Sequence, residues 1–314
     1  MLRSVAMTRR ASIQLGFLSA LWGASYLFIK VALEDVSPAV VVFARTSLAA
    51  LVLLPFALRA GALAGVRDRL WPITVLAFVQ IAAPFLLIAV GEEHLSSSLT
   101  GILVATAPIF TFLLAIRLDQ EERVHGVGLF GVFLGIAGVV LLLGVDAGGG
   151  TAALAGGLMV ILASLGYALG AFYLKRRLGG FQPIGLVTAA MVVSALMTLP
   201  FAALTLPADA PGLDALGSLA ALGFLGTGLA FVIFYTLIGD VGPGKASLVA
   251  YLAPGFAVLY GVLLLDEGFG PATFAGLLMI LGGSWLAAGG NLPWHSKRER
   301  GPRSRRGAPV TEST

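Results

Sequence analysis

Cysteine is missing from all 314 residues. Its absence excludes disulfides, thiolate metal ligands and a cysteine nucleophile. Charge is almost as scarce: 11% of residues are Asp, Glu, Lys or Arg, where a water-soluble domain carries roughly 25%. Histidine occurs three times, at His94, His125 and His295, too scattered for a metal site. No P-loop and no GxSxG nucleophile turn is present. Gly126 to Gly131 fits GxGxxG, but no strand precedes it and it opens an apolar span, so it does not mark a dinucleotide site. No cofactor is expected.

Apolar residues fill the space these absences leave. They make up 58% of the chain, with a mean hydropathy of +0.96, which defines a polytopic membrane protein. A helix needs about 20 apolar residues to cross the hydrocarbon. Runs of that kind fall at 13–33, 38–58, 71–90, 97–116, 126–145, 152–174, 182–204, 215–237, 244–265 and 269–289. Each must be a helix, because backbone groups in lipid have to be satisfied within the segment.

The basic residues orient these ten spans. Arg3, Arg9 and Arg10 precede the first; Arg59, Arg67 and Arg69 follow the second; Arg117 and Arg123 the fourth; Lys175, Arg176 and Arg177 the sixth; Lys245 the eighth. The tail adds Lys297, Arg298, Arg300, Arg303, Arg305 and Arg306, so 18 of the 20 basic residues share one side. The opposite loops carry Glu34, Asp35, Glu92, Glu93, Asp146, Asp266 and Glu267. By the positive-inside rule both termini are cytoplasmic. The same rule makes the basic loops a topological signal rather than a nucleic-acid site. The basic start followed by an apolar run imitates a signal peptide, but the run continues to Ala32 and reads as a retained helix. Residues 1–12 form a cytoplasmic segment, and 291–314 a basic, disordered tail.

The chain also repeats itself. A shift of 146 lays Ala107 and Pro108 on Ala253 and Pro254, and Glu121 on Glu267. Phe78 and Phe85 fall on Phe224 and Phe231 at the same shift. At 145, Ser19, Trp22, Lys30 and Pro38 fall on Ser164, Tyr167, Lys175 and Pro183, and Gly131 and Gly138 on Gly276 and Gly283. The fold class is therefore an all-α membrane protein in which residues 13–145 and 152–289 each hold five helices. An odd number inverts the second half relative to the first, an arrangement typical of transporters, with the substrate held where the halves meet.

The run LWGASYLFIKVAL from Leu21, APIFTFLLA from Ala107, the Glu121 beyond it and GVFLGIAGVVLL from Gly131 resemble the EamA-type transporters of the drug/metabolite transporter superfamily, over residues 13–289. The resemblance implies an inner-membrane carrier, often an exporter of amino acids or other small metabolites, with a central cavity lined mainly by spans 1, 3, 4, 6, 8 and 9. Its partners would be a small-molecule substrate and the bilayer, in a monomer or homodimer.

Several residues then become candidates for the substrate site. Trp22, Tyr26, Tyr167, Phe231, Tyr235 and Tyr251 lie on those spans, although aromatic residues near an interface also serve as anchors. Gln80 places an amide in a span, where it needs a partner, four residues before Pro84. Ser25, Thr106, Thr227 and Ser247 either add hydrogen bonds to the site or bond back to their own helices. Lys30 reads first as snorkelling to the outer interface. Arg45 either pairs with an outer carboxylate such as Glu93, the preferred reading, or shapes an anion path. Pro108 and Pro254 lack the N–H that would bond the carbonyls of Val104 and Ala250, which makes them the candidate hinges.

Two other classes were weighed. An intramembrane enzyme needs a Ser with a His, or paired acids, within spans, and the sequence places its acids at helix ends and in loops. A receptor or scaffold subunit fits ten helices but leaves the repeat unexplained. The same placement of acids leaves proton antiport, facilitated diffusion and exchange open. Glu92, Glu93, Glu267 and His94 are the residues available for antiport.

Overall fold

The computed structural model describes residues 7–118, 126–146 and 150–288. Glu121, Arg123, His125 and the basic tail lie outside the described residues. Every regular element among the described residues is helical. Nine segments among the described residues are long and apolar enough to cross a membrane: α1 (Arg9–Ala32), α2 (Pro38–Arg59), α3 (Arg67–Glu92), α4 (Ser97–Arg117), α5 (Gly126–Gly144), α6 (Gly150–Arg177), α7 (Pro183–Leu204), α8 (Leu213–Val241) and α9 (Pro243–Leu264). The tenth, α10 (Pro271–Ala287), has 17 residues, short of the roughly 20 that span the hydrocarbon unaided.

Helix starts follow local chemistry. Thr8, Ser37 and Ser96 accept the N–H groups of Ala11, Val40 and Leu99 at 3.2, 3.3 and 3.1 Å, the side-chain capping that first-turn donors require. Proline occupies the first position of α2, α7, α9 and α10, where its missing N–H costs nothing.

Four helices are interrupted within their length. A π-helical stretch, Phe78–Ala82, interrupts α3, and another, Ala221–Leu229, interrupts α8. These stretches overlap under the 146-residue shift, so the distortion is duplicated with the sequence. In α4 the helix breaks at Ala105–Thr106 and resumes at Ala107, with Pro108 second in the new stretch. In α9 the break lies earlier, at Ser247–Leu248, and Pro254 sits inside the unbroken stretch Val249–Leu264.

Three of the five equivalent helix pairs of the two halves pack on each other, each in opposite directions. A methyl group placed on Gly131 of α5 would lie 2.6 Å from the Gly283 carbonyl oxygen of α10, and one on Gly138 would lie 3.1 Å from that of Gly276. Rising numbers in α5 meet falling numbers in α10. In α4 and α9, Ser98 lies beside Gly261 and Gly101 beside Ala257, again antiparallel. Ser37, at the start of α2, meets Thr205, at the end of α7, through hydroxyls 2.7 Å apart, while Gly185 near the start of α7 abuts Ala62 just beyond α2. Other close pairs, α1 with α9 and α6 with α4, α1 with α8 and α6 with α3, and α2 with α8 and α7 with α3, exchange with one another when the halves are swapped.

The largest apolar cluster sits among α1, α2, α3, α6, α7 and α8, with Ile29, Leu53, Ile88, Met191 and Leu222 almost fully enclosed. A second one joins α4, α5, α6, α9 and α10 through Ile102, Leu103, Leu142, Val160 and Ile280.

Candidate functional site

On α2 the buried positions Val41, Val42, Arg45, Thr46, Ala49, Ala50 and Leu53 recur at helical spacing and form one inward stripe. Arg45 lies on that stripe and is only 8% exposed. Its Nε–H donates to Thr227 Oγ1 at 2.8 Å, and its guanidinium carbon stands 3.7 Å from the centre of the Phe85 ring, a cation–π contact. Thr227 lies in the π-helical stretch of α8 and donates back to Leu222 O at 2.9 Å. No carboxylate forms an ion pair with Arg45 among the described residues, and Glu93 is exposed. Of the sequence readings of Arg45, the pair with an outer carboxylate such as Glu93 is not formed as an ion pair among the described residues.

The aromatic candidates gather nearby. Tyr26, Tyr167, Phe231 and Tyr235 all pack on the large cluster that contains Phe85. Tyr26 and Tyr167 are within electrostatic reach of Arg45. Trp22 packs edge-on to Phe231 at 6.1 Å, and Phe231 stacks on Tyr235 at 6.0 Å. Ser25 is buried and donates to Leu21 O at 3.2 Å. Two candidates stand apart from this group. Gln80 lies against Gly170 of α6, and the Tyr251 hydroxyl donates to Ser284 O at 3.5 Å. Thr106 and Ser247 bond back to Leu103 O and Gly244 O, the second of their two sequence readings.

The break in α4 is closed by neighbouring helices. Ser164 Oγ of α6 donates to Val104 O at 3.3 Å, and Ser284 Oγ of α10 to Ala105 O at 2.7 Å. The carbonyl that Pro108 leaves free thus has a polar partner on an adjacent helix. Ser19, the counterpart of Ser164, donates instead to Leu15 O of its own helix.

The acidic loops form a bonded end. Lys30 Nζ donates to Glu92 O at 2.7 Å and Leu95 O at 2.8 Å. Glu267 accepts from Ser97 N at 2.6 Å, Ser98 N at 2.9 Å and Ser98 Oγ, neutralising the positive start of α4. Asp35 accepts Gly212 N at 2.6 Å. A cavity of about 420 Å³ opens there, lined by Lys30, Glu34, Glu93, His94, Ser96 and Glu267 among others. Glu92 is fully buried, and neither of its carboxyl oxygens has a hydrogen-bond partner among the described residues. Its place at the end of a span hid that burial from the sequence; only the packing of α3 on α6, where Gly91 abuts Gly156, creates it.

A polytopic helical membrane protein of two similar halves, with an arginine and an aromatic group buried where the halves meet, is the class that these features define. The EamA-like transporter family matches residues 10–144 and again 154–289, and the chain belongs to that family. Similar proteins include the uncharacterized inner membrane transporter YedA of Escherichia coli K12, 27% identical over 83% of this chain and 88% of that one. The uncharacterized transporter YdfC of Bacillus subtilis is 29% identical over 84% of both. A probable amino-acid metabolite efflux pump of Escherichia coli K12 is 24% identical over 89% of this chain and 95% of its own. A solved structure described only as the crystal structure of a protein shares the fold, with a TM-score of 0.64 at 20% identity over 89% of this chain and 97% of that chain.

Proposed function

We propose that the chain is an inner-membrane secondary transporter that exports amino acids or other small metabolites by alternating access. In this reading ten helices cross the membrane as two inverted halves, with both termini cytoplasmic and the acidic loops outside. The observation that carries it is the antiparallel, reciprocal pairing of α5 with α10, α4 with α9 and α2 with α7. Five crossings per half turn each equivalent helix over, and inverted halves give a carrier two related conformations around one site. The bonds of Glu267, Asp35 and Ser37 at the acidic end then hold the outer side closed. The names of the relatives support transport, and that of one supports efflux of amino-acid metabolites.

The test is flux. Proteoliposomes loaded with single amino acids, nucleobases or sugars should show saturable efflux of at least one solute, and a chain with no saturable flux across the panel is not a carrier. Pro108→Ala and Pro254→Ala address the hinges: each should slow flux and bias the carrier toward opposite-facing states, read as opposite changes in labelling of reporter cysteines from the two sides.

A further inference from the structure

We infer that Arg45 is the anchor for a substrate carboxylate, in a site that takes monocarboxylates with an apolar or aromatic body. The inference rests on the transport reading for its purpose, but the site itself is argued from geometry. A guanidinium carries five N–H donors in a rigid fork. Arg45 uses one of them, Nε–H, on Thr227, and lays its face on Phe85. Its terminal amino groups donate to nothing among the described residues. The fully enclosed unpartnered side-chain atoms are Gln14 Oε1, both Glu92 oxygens and Ser97 Oγ. The Arg45 amino groups are not among them, so the free edge of the fork is unpartnered without being sealed.

A buried cation is costly unless an anion also takes up its hydrogen bonds, and no carboxylate among the described residues bonds to the Arg45 fork. The free edge of the fork matches a carboxylate in a bidentate geometry that an ammonium could not reproduce. Thr227 and Phe85 fix the fork from α8 and α3, so groups from both halves set its orientation. Tyr26, Tyr167, Phe231 and Tyr235 pack on the cluster that holds Phe85, and we assign these aromatic residues to the body of the ligand. Glu92 lies within electrostatic reach of Arg45, but its oxygens are sealed, so the site presents no free carboxylate to an amino group. The selected feature is therefore the acid and the apolar body, and an amino acid would bind by the same end.

Matched probes separate these elements on the purified full-length protein. Phenylacetate, at up to about 10 mM, should raise the unfolding temperature by mass action, whereas phenethylamine and 2-phenylethanol should not. Arg45→Lys keeps the charge and loses the fork, and should weaken phenylacetate about 10- to 100-fold, the worth of charge-assisted hydrogen bonds. Arg45→Met should abolish the response while unfolding, ligand-free, no earlier than the wild type. A wild type that ignores phenylacetate, or equal stabilisation by phenethylamine, overturns the site. So does an unchanged phenylacetate response in Arg45→Met, and a response to phenyl phosphate exceeding that to phenylacetate overturns the carboxylate assignment. Arg45-dependent binding without flux would sink the transport reading and leave the site standing; flux indifferent to Arg45 would do the reverse.

Discussion

Lys30 ends α1 with its ammonium on two main-chain oxygens, those of Glu92 and Leu95, at the point where α3 runs out of intrahelical donors. The sequence reads it as snorkelling to the interface; in the structure it caps a neighbouring helix, where a cation is favoured by the helix dipole. Lys30→Met should cost about 1–3 kcal/mol, because two part-buried carbonyls lose charge-assisted bonds. For a chain of this length that is a fall of several degrees in thermal unfolding; an unchanged midpoint would mean the bonds contribute nothing. Glu267 does the complementary job at the start of α4. Glu267→Ala should lower stability by about 1–2 kcal/mol and, in the proposed orientation, admit external reagents to a cysteine at position 97. Labelling as slow as in the parent would show that the outer side is held shut by other bonds.

Helices are the level at which the sequence was most legible. The hydropathy runs place the nine span-length helices and the shorter α10 within about four residues of their ends among the described residues, because a long apolar run has no other way to satisfy its backbone in lipid. The distortions inside the helices were not legible. Neither Phe78–Ala82 nor Ala221–Leu229 carries a local π signal; in α8 the stretch lies where Gly223 and Gly228 abut Leu48 and Val52 of α2. The break in α4 was foreshadowed by Pro108, but its partners Ser164 and Ser284 come from helices about 60 and 180 residues away. For the site, residue types pointed to Trp22, Tyr26, Tyr167, Phe231 and Tyr235, whereas the bond from Arg45 to Thr227 joins residues 182 apart and had no sequence signal. Ser284→Ala should destabilise by about 1–3 kcal/mol by stranding the Ala105 carbonyl, measurable by thermal unfolding in detergent. The α5–α10 contact gives a sharper element-scale test. Gly131→Ala drives a methyl into Gly283 backbone, while Gly282→Ala meets only Leu134 at 3.8 Å. The first should lose folded yield and the second should not; equal yields would refute the close approach.

At the scale of the molecule, the proposed inversion assigns each loop to a side. Reporters fused after Arg177 and after Asp209 should read cytoplasmic and external respectively, and the same side for both would break the proposed topology. The proposed closure at Glu267 also governs which variants a genetic selection can reach. Two of the three bonds that Glu267 accepts come from main-chain N–H groups, at Ser97 and Ser98, and no codon change other than to proline removes an amide hydrogen. A selection for variants stuck open to the outside should therefore be lopsided, returning many alleles at position 267 and few at 97 or 98. Suppressors of those alleles should arise as acidic residues elsewhere around the α4 start rather than as compensating changes on α4 itself.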